Sequence, residues 1–242
     1  MTFISKIFAA KSQSIPTDNF IKRLRCSVIG EGMLNEGNIY LLDYIMKNLP
    51  NEGAILEIGS YGGLSTNLIC YLLRKYKKEN TFFSCDAWVY EGYEDTIKAI
   101  LETIDGRDDI KRVDYMNYIK QSFINATLLL SKENLPYSIH STSNTFFKNW
   151  ALGQTAKDVF GRDIKLGGKI AFAYIDGDHS ETAAYADFEN VDKILLPKGF
   201  ILLDDSADAY NFGSSKMMKT IKKNNKYKVV MTNPNYLLQK IS

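Results

Sequence analysis

A chain of 242 residues with 45% hydrophobic composition can bury a full core, so one domain carrying an insertion is expected. Its 30 basic and 28 acidic residues leave a formal net charge of +2, too weak a field to indicate nucleic acid or an anionic membrane as partner. Apolar runs stop at about six residues and Lys6 interrupts the apolar start, so neither a spanning helix nor a secretory signal is read, and a cytoplasmic protein is expected. In chain order, the first strong pattern runs from Glu36 to Leu49, where Leu41, Leu42, Ile45, Met46 and Leu49 share one helical face that stops at Pro50. The run AILEI, the turn GSYGG and then Leu64, Leu68 and Leu72 read as strand, tight glycine turn and helix.

Four further strands follow, TFFSCD, YSIHS, IAFAYID and FILLDD, all apolar on both sides as expected for strands covered on both faces. A crossover helix from Glu181 to Leu196, with Ala184, Phe188, Val191 and Leu195 on one face, joins the last two. A helix around Ser214 to Asn225 precedes KYKVVM, the turn TNPN and YLLQKI, an antiparallel hairpin. This order predicts a doubly wound α/β sheet with helices on both faces and an antiparallel strand near one edge. Tyr90 to Pro136 is too long for a simple crossover. Its stretch Val113 to Leu130, with Met116, Ile119, Phe123, Leu128 and Leu129, reads as helical, either a lid or an oligomer contact. The odd set Cys26, Cys70 and Cys85 lacks metal spacing and reads as reduced, buried thiols, and His140 as a packed or hydrogen-bonded residue of the third strand.

In open α/β sheets, ligands bind beyond the carboxyl ends of the strands. The first such loop holds Gly59, Gly62 and Gly63, with Tyr61 where a dinucleotide fingerprint needs its second glycine, which disfavours NAD. Glu57, just ahead of the turn, would oppose a pyrophosphate and suits a cationic amine or sulfonium. Asp86 closes the second strand, where it can accept from two ribose hydroxyls of an adenosine-containing cofactor. Asp176 ends the fourth strand and Asp204 and Asp205 the fifth, neighbours separated by roughly 5 Å. Two unit charges about 4 Å apart repel by roughly 4 kcal/mol at an effective dielectric near 20, so three such carboxylates take up protons or recruit a cation. An all-oxygen donor set favours Mg²⁺ first, with Mn²⁺ or Ca²⁺ as alternatives.

The stretch ILEIGSYGGLST resembles motif I of class I S-adenosylmethionine-dependent methyltransferases, in the form seen in catechol-type O-methyltransferases, and the likeness in chain order spans about Glu36 to Ile241. The resemblance implies one Rossmann-like methyltransferase domain over 1–242, with an N-terminal helical extension (1–50), a helical insertion (90–136) and a C-terminal antiparallel hairpin. It places Gly59 and Tyr61 at the methionine end, Ser65 on its carboxylate, Asp86 on the ribose, and Trp88 and Ser141 or Ser143 on the adenine side, with Glu57 and Gly63 also counted among the cofactor-binding residues. An Asp after strand four with Asp-Asp after strand five is similar to the Mg²⁺ site of catechol-type and of macrolide and aminocoumarin sugar O-methyltransferases, the Asp-Asp form being closer to the sugar enzymes. Metal ligands would then be Asp176, Asp204 and Asp205, and the proton acceptor Asp178 or His179. His179 is preferred, with Asp178 orienting it or approaching the metal; the lysine of the catechol-type base position is replaced by this histidine. The implied reaction is methylation of a hydroxyl on a small acceptor, sugar or sugar-containing metabolite favoured, with no nucleic acid or membrane partner and a homo-oligomer left open. A metal-independent methyltransferase and a non-catalytic nucleotide-binding subunit are the alternatives.

Overall fold

The computed structural model describes residues 32–89, 103, 110–223 and 225–241. Cys26, the rest of the extension through 31 and most of 90–109 lie outside the described residues. Two early units set the frame: helix α1 (Glu36–Asn48), then strand β1 (Ala54–Ile58), helix α2 (Leu64–Lys75) and strand β2 (Phe82–Asp86). Asn35 caps α1 by accepting the Gly37 N–H through its side chain. The insertion contributes helix α3 (Arg112–Leu130), which leads to β3 (Tyr137–His140).

Next come helix α4 (Ser143–Ala151) and a small hairpin, β4 (Thr155–Lys157) with β5 (Asp163–Lys165), none of which was read in the sequence. The chain continues through β6 (Ile170–Ile175), α5 (Glu181–Ile194), β7 (Leu195–Leu203), α6 (Gly213–Ile221) and the terminal strands β8 (Tyr227–Thr232) and β9 (Tyr236–Lys240). Helix α5 ends two residues before the expected Leu196 because the chain passes straight into β7.

The sheet order is β3-β2-β1-β6-β7-β9-β8, with β3 through β7 parallel and the last two strands antiparallel. Helices cover both faces. On one, Leu56, Ile58, Ile175 and Leu203 pack with α4, α5 and α6; on the other, Ile55, Tyr174 and Leu202 pack with α1 and α2. A third cluster seats Trp88 under α3, against Met116, Ile119 and Phe123. Cys70 and Cys85 are buried thiols, and burial pushes both up. His140 stays at the β3 end, paired through Nδ1 with Lys120 at 2.7 Å and through Nε2 with the Ala87 carbonyl at 2.9 Å. No helix among the described residues is long and apolar enough to cross a membrane.

Strand order reverses between β1 and β6, and the ends of these strands are spliced by the Asp176 N–H donating to the Ile58 carbonyl at 2.8 Å. Helix α1 meets the β8/β9 turn so closely that a Cβ on Gly37 would lie on the Asn233 carbonyl oxygen. Gly37→Ala therefore has to separate α1 from the turn. Its expected cost is about 2 kcal/mol or more in urea unfolding, and a variant as stable as wild type would contradict this packing.

Candidate functional site

The glycine turn is shaped by two close approaches. Gly59 has φ +83°, and a Cβ there would strike the Asp176 carbonyl oxygen, so the glycine lets the ends of β1 and β6 meet. Gly63, at φ +93°, opens α2 in the left-handed region under Phe123. Tyr61 also has positive φ, and its hydroxyl meets that of Tyr115 from α3.

Asp86 holds this turn in place. Its Oδ2 accepts the N–H groups of Ser60 at 2.7 Å and Tyr61 at 2.8 Å, and its Oδ1 that of Trp88 at 2.6 Å. Burial raises its carboxyl while these three donors pull it down. A carboxylate has about four acceptor sites, so the three backbone donors occupy most of the acceptor capacity of Asp86.

Glu57 lies beneath the turn and does not face the cleft. Strand alternation sends its side chain toward α2, where it is fully buried and Oε2 accepts from the hydroxyls of Thr66 and Ser60. Burial pushes its carboxyl up to about 7, against the hydroxyl contacts of Thr66, Ser65 and Ser60, and among the described residues Oε1 has no hydrogen-bond partner. Trp88 is likewise turned from the cleft, 5% exposed, with its ring 5.1 Å from Phe123 and its Nε1 donating to the Tyr61 carbonyl.

A cleft of about 930 Å³ opens above the switch point. Gly59, Tyr61, Ser65 and Asp86 form one wall, and Ser141 and Ser143 continue it past β3. Asp176, Asp178, His179, Asp204 and Asp205 form the other, and Leu34, Tyr115 and Met116 also line the cleft. Of the residues expected around a cofactor, Glu57, Gly63 and Trp88 are outside this lining, for the reasons of direction and packing just given.

The acidic wall divides into two groups. Asp204 accepts from the Asn38 amide at 2.7 Å, from the Tyr174 hydroxyl at 3.1 Å and from the Asn235 amide. Asp176 stands against it: burial first, then the Asp204 charge and hydrogen bond, push the Asp176 carboxyl well above the usual carboxylate range. Asp205, at φ +48°, turns aside to His179, with Oδ2 3.1 Å from Nδ1, and the imidazole rests 5.3 Å from the Phe212 ring. Asp178 accepts the Ser180 N–H at 2.7 Å at the start of α5, so Asp205 is the carboxylate that orients His179.

The donor set suits a hard cation in chemistry, all carboxylate oxygens at adjacent strand ends, and Asp176 and Asp204 already meet. Among the described residues, however, no group of three or more His, Cys, Asp or Glu side chains surrounds a common point, since Asp205 is drawn to His179. Sequence reading missed Asn38, Tyr174, Asn235 and Asp187. The only signals for the two asparagines were polar residues on an apolar helix face and after a turn proline.

Sheet order, terminal hairpin and a cleft at the strand switch make this the Rossmann-like methyltransferase fold. A sequence model of a family described as a methyltransferase domain matches residues 56–206, well over half of the chain, and the chain belongs to that family. Among solved structures, the SAH-bound methyltransferase PaMTH1 of Podospora anserina is similar with a TM-score of 0.59 at 11% identity, over 95% of this chain and 91% of that one. The O-methyltransferase from Bacillus cereus in complex with SAH gives 0.55 at 14% identity, over 94% and 93%. The O-methyltransferase NovP gives 0.56 at 12% identity, over 88% and 84%. At such identities the likeness speaks for the fold. No curated protein matches the chain by sequence.

Glu57 links the turn to pH. Its carboxyl titrates near 7 when folded against an ordinary 4.5, so its stabilising contribution is full below about 4.5 and is lost as pH rises through 7. A shift of that size corresponds to roughly 3 kcal/mol. Urea unfolding at a series of pH values should show wild type losing about that much relative to Glu57→Gln between pH 5 and 8; parallel profiles would contradict the assignment.

Proposed function

We propose that this protein is an S-adenosylmethionine-dependent O-methyltransferase that acts on a hydroxyl of a small acceptor, with a sugar or sugar-containing metabolite favoured and Mg²⁺ as the assisting ion. The observation that carries the reading is a single cleft with Asp86 and the glycine turn on one wall and the acidic residues with His179 on the other. Nucleoside and acceptor ends would thus face one another across the switch point.

S-adenosylmethionine would supply an activated methyl group, and Asp176, Asp204 and Asp205 would be the residues to hold a hard cation, which would supply Lewis acidity. On the cofactor wall, Asp86 accepts from a ribose hydroxyl, Gly59 and Tyr61 flank the methionine end, and Ser65 in the first turn of α2 meets its carboxylate. Ser141 and Ser143 lie on the adenine side. Across the cleft, His179 lines the acceptor side and its imidazole takes the acceptor's hydroxyl proton. Leu34, Tyr115 and Met116 add apolar lining to the cleft, and alignment of the two ends contributes much of the rate. The Asp-Asp pair and the histidine in place of lysine support the sugar preference.

A metal-independent transfer is the second reading. Favouring it, Asp204 is already satisfied by the Asn38 and Asn235 amides, and Asp205 already pairs with His179.

Calorimetric titration with S-adenosylhomocysteine tests the cofactor. Wild type should bind it and not NADH, and Asp86→Ala should bind at least about tenfold more weakly. Absence of binding to wild type would overturn the proposal. Once an acceptor is in hand, methyl transfer should collapse under strong chelation and return with Mg²⁺, whereas transfer that survives chelation selects the second reading.

A further inference from the structure

Two asparagines from opposite ends of the described chain meet Asp204, and the proposed chemistry gives them no part. Asn38 and Asn235 are fully buried, while Asp204 is 7% exposed and lines the cleft. A buried primary amide is costly unless its atoms are paired, and here the pairing also fixes which way each amide points. Asn38 Oδ1 accepts from the Asn235 amide at 3.1 Å, and Asn235 Oδ1 accepts the Ser206 N–H at 3.1 Å. The nitrogen of each amide is therefore the end turned to Asp204.

The donors are unevenly shared between the two carboxylate oxygens. Both amides donate to Oδ1, Asn38 at 2.7 Å, whereas Oδ2 accepts from the Tyr174 hydroxyl at 3.1 Å. Each oxygen of a carboxylate has about two acceptor sites, so the amide pair fills Oδ1 and leaves capacity on Oδ2. Two donors on one oxygen also resist rotation of the carboxylate about its Cβ–Cγ bond. Docking of the hairpin does not require this arrangement, because the β8/β9 turn has its own contact with α1, where the Asn233 side chain donates to the Gly37 carbonyl at 3.5 Å. Asp205, one residue further on, has instead turned to His179.

We infer that Asn38 and Asn235 are positioning residues for cation binding: they hold Asp204 by Oδ1 so that Oδ2 is the oxygen presented to a divalent ion. The inference rests on the cation-assisted form of the reading above. Outer hydrogen-bond partners orient metal-binding carboxylates, and losing one typically weakens metal affinity by about 10–100-fold.

The test follows free Mn²⁺ by electron paramagnetic resonance as it is titrated into the full-length protein, with S-adenosylhomocysteine binding measured by calorimetry on the same samples. The variants are Asn38→Leu and Asn235→Leu, close to asparagine in size, Asn38→Ala and Asn235→Ala, which leave room for a water, and Tyr174→Phe. The last removes a bond from the same carboxylate, but from Oδ2, so a general loosening of the network would affect it equally. Wild type should bind Mn²⁺. Each asparagine variant should bind it at least about tenfold more weakly while its affinity for S-adenosylhomocysteine stays within roughly twofold, and Tyr174→Phe should stay within about twofold of wild type for both ligands. Asparagine variants with wild-type Mn²⁺ affinity, a loss in Tyr174→Phe as large as theirs, or loss of S-adenosylhomocysteine together with Mn²⁺ would assign the amides to the fold alone and overturn the inference. A wild type that binds S-adenosylhomocysteine but no Mn²⁺ would overturn the cation part of the reading, and this inference with it, while one that binds neither would overturn the cofactor reading as well.

Discussion

Buried and half-buried carboxylates at the ends of adjacent parallel strands impose the main constraint on this molecule. Glu57, Asp176 and Asp204 belong to the ends of β1, β6 and β7, which are neighbours in the sheet. Parallel strands lie about 4.8 Å apart, so these negative groups cannot all be charged and dry without partners. Each is answered differently. Glu57 receives hydroxyls from the first turn of α2 and from Ser60, Asp204 receives amides and a tyrosine hydroxyl, and burial and the Asp204 charge push the Asp176 carboxyl well up, against a Tyr174 hydrogen bond.

The need to satisfy Asp204 explains why both ends of the described chain come to the centre of the sheet. Asn38 from α1 and Asn235 from the β8/β9 turn both donate to Asp204, and Asn235 also donates to Asn38 at 3.1 Å. The hairpin is thereby a structural part of the cleft floor as well as the sheet's antiparallel edge. On the opposite wall Asp86 works in a similar way, since three backbone donors spend most of its acceptor capacity on fixing the turn. The cleft is built from polar groups that hold one another, with a limited number of acceptor sites turned toward a ligand. For the proposed reaction, this means the acidic wall is poised between two arrangements: a cation shared by three aspartates, or a His179–Asp205 pair beside an amide-bound Asp204.

Much of this was legible in the sequence. Five parallel strands showed as apolar runs because both of their faces are covered, and the glycine turn showed because β1 and β6 approach too closely for a side chain. Asp86, Asp176, Asp204 and Asp205 were legible because charge directly after such a run must lie at a strand end. Direction was harder to read. Glu57 sits next to the turn in sequence, yet alternation along β1 points it at α2, and Trp88 follows Asp86 but is packed under α3. Phe146, Phe147 and Trp150 behind the Thr142 cap carried a helical signal for α4 that went unread, whereas the three-residue strands β4 and β5 are too short and too exposed to leave one. Asn38, Asn235 and Asp187 were not legible because their neighbours are set by topology: Asn38 and Asn235 are 197 positions apart in the chain.

A crystal of the protein grown with S-adenosylhomocysteine and Mn²⁺ puts the electrostatic argument to its most direct test. The account predicts an anomalous peak among the carboxylate oxygens of Asp176, Asp204 and Asp205, with Asp205 swung away from His179 and the nucleoside lying along Asp86. A map with the nucleoside in place but no such peak, Asp205 still on His179 and Asp204 held only by its amide and hydroxyl donors, would contradict it.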